Sequence, residues 1–435
     1  MLARLERYFE FENLNTNWRT EILAGMTTFM TMSYIIFVNP SILQETGMPF
    51  DALVAATCFS AALGSILMGV FARYPIALAP GMGLNAYFTY TVVKGMGIPW
   101  QTALGAVFLS GVAFVLLTLV GVRQLIVEAI PRELYASVAA GIGLFIAMIG
   151  MRNAGFIVPS PATMVTLGNL RDRNAVLAAF GLITIAALSA WGVRAAMLIG
   201  ILATTVVGSL FGLVKFAPHA YHFSNIGAVA GQLDIASAWR IGFLDILFVF
   251  LFVDLFDNLG TLVGVGTRAE LFDKDGRIPR IRQILFTDAT ATLVGAVAGT
   301  STVTSYIESA AGVAAGGRSG VTAIVSGLLF IVSLFLAPLV GAVPAAATAP
   351  ALIVAGSLML AHLGDVDWKD AAIAIPSFLT MITIPLSFSI ANGLAFGFTS
   401  YALLRIVRGE FRKTHWLVYL LAAVFIARFL YLGSA

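Results

Sequence analysis

The sequence predicts an all-α polytopic membrane protein. Fourteen transmembrane segments form two inverted seven-span repeats, and spans 3 and 10 are each a short strand plus a half-helix. Three observations carry that expectation. Charge is scarce along the chain, apolar stretches of bilayer-crossing length follow one another from residue 21 to residue 407, and the pattern of the first half returns in the second at an offset of about 220 residues.

Composition fixes the solvent. Of 435 residues, 59% are hydrophobic and 11% charged, whereas a soluble domain carries about 25% charged residues. A surface this poor in charge has to face lipid. The 42 glycines fit, because small residues let membrane helices approach closely. Cys58 is the only cysteine, which excludes an intrachain disulfide. A net charge of +3 gives no electrostatic footprint for nucleic acid. Residues 1–20 mix charge and aromatics without the apolar core of a signal peptide, and read as an amphipathic lead-in on the membrane surface.

Taking apolar stretches of roughly 17–25 residues as spans gives 21–40, 52–71, 76–94, 101–121, 132–151, 174–191 and 195–214 in a first repeat, 21–214. The second repeat, 241–407, holds 241–265, 283–299, 302–317, 319–338, 346–363, 371–388 and 390–407. A further apolar stretch, 415–432, carries Arg428 and either spans or lies at the interface. With a cytoplasmic N-terminus, only Lys94, Arg152, Arg171, Arg173, Lys215 and Arg240 fall on the far side. Arg428 is unassigned, which leaves 18 of the 25 Lys and Arg cytoplasmic, the bias that membrane insertion favours. Seven is odd, so the two halves enter the membrane in opposite senses. Inverted repeats of this kind place a transport site at their interface near the midplane.

The third and tenth spans are interrupted. Pro80, Gly81 and Gly83 cannot sit comfortably inside a helix, so a short extended piece at 76–79 and a helix from about Gly81 are expected. In GTSTVTSYIES (299–309) the Thr/Val/Thr alternation predicts a short strand, with Ser305 capping a helix and Glu308 closing a capping box three residues later. Irregular backbone at membrane depth occurs only where protein buries it or it lines a cavity. Two breaks at matching repeat positions therefore point to one site, with half-helix N-termini offering partial positive charge.

Buried acids complete the candidate site. Asp254 and Asp257 lie three apart in FVFLFVDLFDNLGTLVGVG (248–266), and Thr261 follows Asp257 by four, so all three share a helix face. Ionisable residues in a span are costly and mark function by default, with structural hydrogen bonding as the bland alternative. Asn85 follows the first break and Glu308 the second. Tyr306 and Phe88 are placed to stack on a flat ring, although packing is the commoner fate of such aromatics. Asp245 reads as a dipole partner at a helix start, and the four histidines show no metal-ligand spacing.

The motifs APGMGLNAYF (79–88), FDNLGTLVGV (256–265) and ESAAGVAAGGRSG (308–320), with the opening NWRTEILAGMTTFMTMSYIIFVNPSIL (17–43), resemble the signatures of the AzgA-like branch of the nucleobase–cation symporter 2 (nucleobase–ascorbate transporter) family. The resemblance runs over nearly the whole chain. It implies a purine permease for adenine, guanine or hypoxanthine driven by proton symport, with no cofactor beyond H⁺ as coupling ion. It also implies core spans 1–4 and 8–11 moving against gate spans 5–7 and 12–14 in an elevator cycle, and a homodimer through the gate. By motif, the family's eighth-span acid falls on Asp257 with Thr261 one turn on, its tenth-span glutamate on Glu308 with Tyr306 before it, and its third-span contact near Asn85 to Phe88. Other branches carry Glu and His where this chain has Asp257 and Thr261, a departure that fits purine over uracil or xanthine.

A neutral purine presents N–H donors and nitrogen acceptors on a flat edge, which carboxylates can grip when ionised and donate to when protonated. Asp257 and Glu308 would hold opposite edges, and Asp257, Glu308 or Asp254 would carry the proton. Three rivals stand beside this reading. Facing half-helix N-termini suit an anion transporter of related architecture, but the site converges acids rather than bases. Broken helices also line channels. A membrane enzyme would need a metal cluster or a nucleophile–base pair, and the sequence shows neither.

Overall fold

The computed structural model of the chain describes residues 2–121, 130–214, 223–240, 243–269, 278–336 and 340–431. Within helix Phe243–Ala269 the side chain of Asp257, like that of Asp245, lies outside the described set. The chain is mostly helical, and every predicted span holds a helix or a strand–helix unit. Among the described residues, seven helices are long and apolar enough to cross a membrane, and Ala196–Leu210, Gly320–Ser333, Ala371–Ser387 and Trp416–Ala427 are shorter apolar helices.

Helices pack in two sets. Trp18–Met32 lies on Gly320–Ser333 and on Ser309–Ala314, Phe50–Leu67 on Gly320–Ser333 and Ile281–Ala298, and Trp100–Val120 on Ile281–Ala298 and Phe243–Ala269. In the other set, Arg132–Asn153 lies on Ala345–Met359 and Ala371–Ser387, Arg173–Ala190 on Ala196–Leu210, and Ala371–Ser387 on Ile390–Val407. Small residues permit the closest crossing of this second set. A Cβ built on Gly143 would stand 2.5 Å from the Gly356 carbonyl oxygen, so only glycine lets these two backbones touch.

Short strands interrupt the helices at two places. Strand β1 (Leu78–Pro80) precedes helix Met82–Ala86, while β2 (Ile157–Ser160) and β3 (Met164–Leu167) form an exposed hairpin that hydrophobic patterning does not announce. Strand β4 (Val303–Ser305) precedes helix Ser309–Ala314. The extended piece at the first break starts two residues and ends one residue later than expected, because extended chain is needed only where β1 meets β4. Span 1 carries an unforeseen break of its own. Helix Trp18–Met32 ends before Ser33 and Tyr34, and a new helix runs Ile35–Leu43.

The ends sort by charge. Glu10 pairs with Arg73 at 2.9 Å and Arg280 at 3.5 Å, Arg405 and Lys413 pair with Glu410, and Arg408 pairs with Asp370. Glu45 pairs with Lys94 and with Arg152 at 3.7 Å. Each of these pairs joins groups that the positive-inside reading puts at the same end of the helices. The lead-in is docked rather than loose. Phe9 and Phe11 are buried against Val321, and Trp18 Nε1 donates to Glu6 at 2.8 Å. At the other terminus, helix Trp416–Tyr431 packs on Ile390–Val407, with Phe398 and Phe425 in ring contact.

Candidate functional site

Strands β1 and β4 pair antiparallel, Leu78 opposite Ser305, Ala79 opposite Thr304 and Pro80 opposite Val303, and all six residues are buried. A ribbon this short leaves backbone groups on both outer edges, and inside a membrane protein those groups need partners. Hydroxyls supply them. Ser65 Oγ donates to the Leu78 carbonyl at 3.0 Å and accepts from the Leu78 N–H at 2.9 Å. Thr292 Oγ1 donates to the Val303 carbonyl at 3.0 Å, and Ser309 Oγ accepts from the Ala77 N–H at 3.0 Å. Tyr306 stitches the ribbon end, its N–H donating to Ala77 O at 3.0 Å and its hydroxyl to Pro80 O at 2.6 Å. In this conformation Tyr306 is 6% exposed and clasps the first break from the second. Ser65, Thr292 and Ser309 have no motif to single them out, since hydroxyls in small-residue helices more often bond their own backbone.

Asn85, one turn beyond β1, is fully buried. Its amide donates to Asn39 Oδ1, and its carbonyl oxygen accepts from Ser301 Oγ. Asn39 in turn donates to Thr57 Oγ1 at 2.7 Å and Thr300 Oγ1 at 3.1 Å. The network thus joins span 1, span 2, the half-helix after the first break and the chain leading into the second. Asn39 escaped the sequence reading because it precedes Pro40, a position that looks like a turn.

The second break is built differently. The predicted capping box does not form. Glu308 has αR backbone and makes no side-chain cap to the helix that starts at Ser309, and Ser305 Oγ is buried with no hydrogen-bond partner among the described residues. Pairing to Ala77 keeps the chain extended through Tyr306, so the helix starts too late for Ser305 to reach it. The Glu308 carboxyl turns instead to span 1, where Tyr34 Oη donates to its Oε1 at 2.7 Å. Thr31 Oγ1 reaches the Glu308 carbonyl at 3.4 Å. Glu308 is half-buried, and no other side chain among the described residues bonds to its carboxyl.

The eighth-span helix packs against β4, against helix Ser309–Ala314 and against helix Met82–Ala86, so it adjoins both breaks. Asp254 is fully buried and Thr261 is 6% exposed. Asn258, four residues after Asp254 and three before Thr261, lies on the same face. It is fully buried, and neither its Nδ2 nor its Oδ1 has a hydrogen-bond partner among the described residues. The sequence reading passed over it for its acidic neighbours. Phe88 is fully buried in the third span. The structure therefore brings Asn85, Tyr306 and Glu308 to one ribbon beside the helix that carries Asp254 and Thr261.

A model of the permease family matches residues 19–400. The chain is 44% identical over 430 residues to an adenine permease of Escherichia coli (strain K12), spanning 99% of this chain and 97% of that one. It is 44% identical over 440 residues to a guanine/hypoxanthine permease of Bacillus subtilis (strain 168), spanning 98% of this chain and 100% of that one. Among solved structures, the transmembrane domain of a cyanobacterium bicarbonate transporter is similar with a TM-score of 0.64, over 85% of this chain and 97% of that one. At 14% identity that likeness is one of fold, which by itself carries no substrate.

Proposed function

The chain belongs to the permease family, multi-pass membrane proteins that transport rather than convert their substrates, and on that premise we propose that it imports purine nucleobases by proton symport. Adenine, guanine and hypoxanthine are the candidate cargoes. The carrying observation is the half-buried Glu308 carboxyl at the second break, with one oxygen tethered to Tyr34 in a chain 44% identical to purine permeases along its full length. Guanine offers N1–H and N2–H on one edge as paired donors that a carboxylate accepts, and adenine and hypoxanthine each offer an N–H donor to it. Asp257, Asp254 and Thr261 are the accompanying substrate and coupling residues, with Tyr306 and Phe88 as the walls of the aromatic side and Asn85 bracing the first break behind them. Protonation of Asp257 or Glu308 from outside completes the site, and proton loss on the inner side releases the base.

Antiparallel pairing of β1 with β4 supports two inverted repeats of seven spans, 21–214 and 241–407. The two packing sets support a core of spans 1–4 and 8–11 and a gate of spans 5–7 and 12–14, which move past each other in an elevator cycle. The N-terminus is cytoplasmic, the protein sits in the cell membrane, and two copies meet through the gate.

The experiment is uptake of labelled adenine, guanine and hypoxanthine by cells lacking their own purine uptake, with competition by unlabelled bases, bicarbonate and sulfate. Saturable uptake that bases compete and a protonophore abolishes is the expected result. Competition by bicarbonate or sulfate, with none by bases, would transfer the site to the anion reading that the shared fold keeps in view.

A further inference from the structure

A carboxylate that grips a flat substrate has to present a fixed edge, and a glutamate side chain has three rotatable bonds with which to lose it. The break in span 1 supplies the fixation. Chain leaving helix Trp18–Met32 tightens at Ser33 and Tyr34, where Ile36 N bonds Ser33 O and Phe37 N bonds Tyr34 O, both at 3.1 Å. The tightened turn carries the Tyr34 ring, fully buried, with its hydroxyl 2.7 Å from Glu308 Oε1. One turn earlier, Thr31 reaches the Glu308 carbonyl. The half-helix that follows lies flush on span 1, since a Cβ on Gly312 would stand 2.7 Å from the Ala24 carbonyl oxygen. Span 1 therefore splints the second break along its length, and the tyrosine hydroxyl is the one polar contact it makes to the Glu308 carboxyl.

We propose that Tyr34 is a positioning residue for substrate. By occupying one lone pair of Oε1 it locks the carboxyl plane, leaving Oε2 and the second Oε1 lone pair to accept the N–H groups that a purine edge presents, two in guanine. Tyr34 touches no substrate in this scheme and acts through Glu308, so the inference rests on Glu308 being a purine ligand. Freed of the hydroxyl, the carboxyl samples rotamers that present the wrong edge, and binding weakens while the transport step does not.

The test is Tyr34→Phe, which keeps the ring and its packing, compared with Glu308→Gln in full-length protein reconstituted into proteoliposomes. Initial rates with tritiated adenine, guanine and hypoxanthine give KM and Vmax separately, and thermal melting reports the fold. A rise in KM of about tenfold or more, with Vmax within about twofold and an unchanged melting temperature, supports the positioning role. An unchanged KM overturns it, and so does a parallel fall of Vmax and melting temperature, which would make Tyr34 a packing residue. Glu308→Gln separates the levels. If it binds purine normally, the functional reading of the site fails. If it loses binding while Tyr34→Phe is unaffected, only the role of Tyr34 fails.

Discussion

The two strand–helix breaks occupy corresponding places in the two halves, yet they differ in chemistry. At the first, Asn85 is fully buried and its amide is used on both sides, by Asn39 and by Ser301. At the second, Glu308 is half-buried and tethered through one oxygen only. A satisfied amide inside a dry network is rigid scaffold. A carboxyl with spare acceptor capacity is free to take a ligand or a proton. On the proposed function, similar backbone geometry serves two tasks, holding the crossover together at the first break and reading the substrate at the second.

The sharpest test of that division is Glu308→Ala. Losing a buried charge-assisted contact costs about 2–5 kcal/mol of binding, so uptake should vanish while membrane insertion and melting temperature hold. Retained uptake would remove the chemical half of the comparison. Next in size is Asn85→Ala, which strands Asn39 Oδ1 and the Ser301 hydroxyl. A loss of about 1–3 kcal/mol of stability is expected, seen as a lower melting temperature with uptake falling in proportion to folded protein. A raised KM with unchanged melting would instead make Asn85 a ligand and merge the two breaks into one chemical unit.

Smaller again are Ser65→Ala and Thr292→Val, which each remove one hydroxyl from the ribbon edges. About 1 kcal/mol apiece is the expected cost, with KM unchanged. Thermal melts of the single and double variants should show the two effects adding, because the residues serve opposite edges. The smallest effect lies at the membrane surface. Asp370 accepts from Arg408 at 2.5 Å and from the Ala372 N–H at 2.9 Å, and the Arg408 contact chiefly holds its carboxyl below the usual carboxylate range. A depressed carboxyl stabilises the fold at neutral pH and ceases to do so as the pH falls through its lowered value, below about pH 4. Melting temperature of the Asp370→Asn variant should therefore be less sensitive to acid in that window than that of the parent.

Particular residues show how far the sequence could be read. Pro80 and Gly81 announced the first break because backbone chemistry is local, and β1 ends at Pro80. The Thr/Val/Thr alternation announced β4 for the same reason. The Ser305–Glu308 box was misread, since its spacing is a local signal that a remote pairing to Ala77 overrides. The partnership of Tyr34 with Glu308, 274 residues apart, had no signature at all, and neither did Ser65 nor Thr292.

By itself the sequence determined the solvent, the succession of apolar helices and the positions of both breaks. Each of these follows from hydrophobicity, charge or backbone restriction acting within about twenty residues. Only the tertiary structure decided which polar group meets which. Hydrogen-bond partners in a low-dielectric interior are chosen by the packing of distant helices, and a buried hydroxyl in the sequence carries no record of the carbonyl or carboxyl it will find.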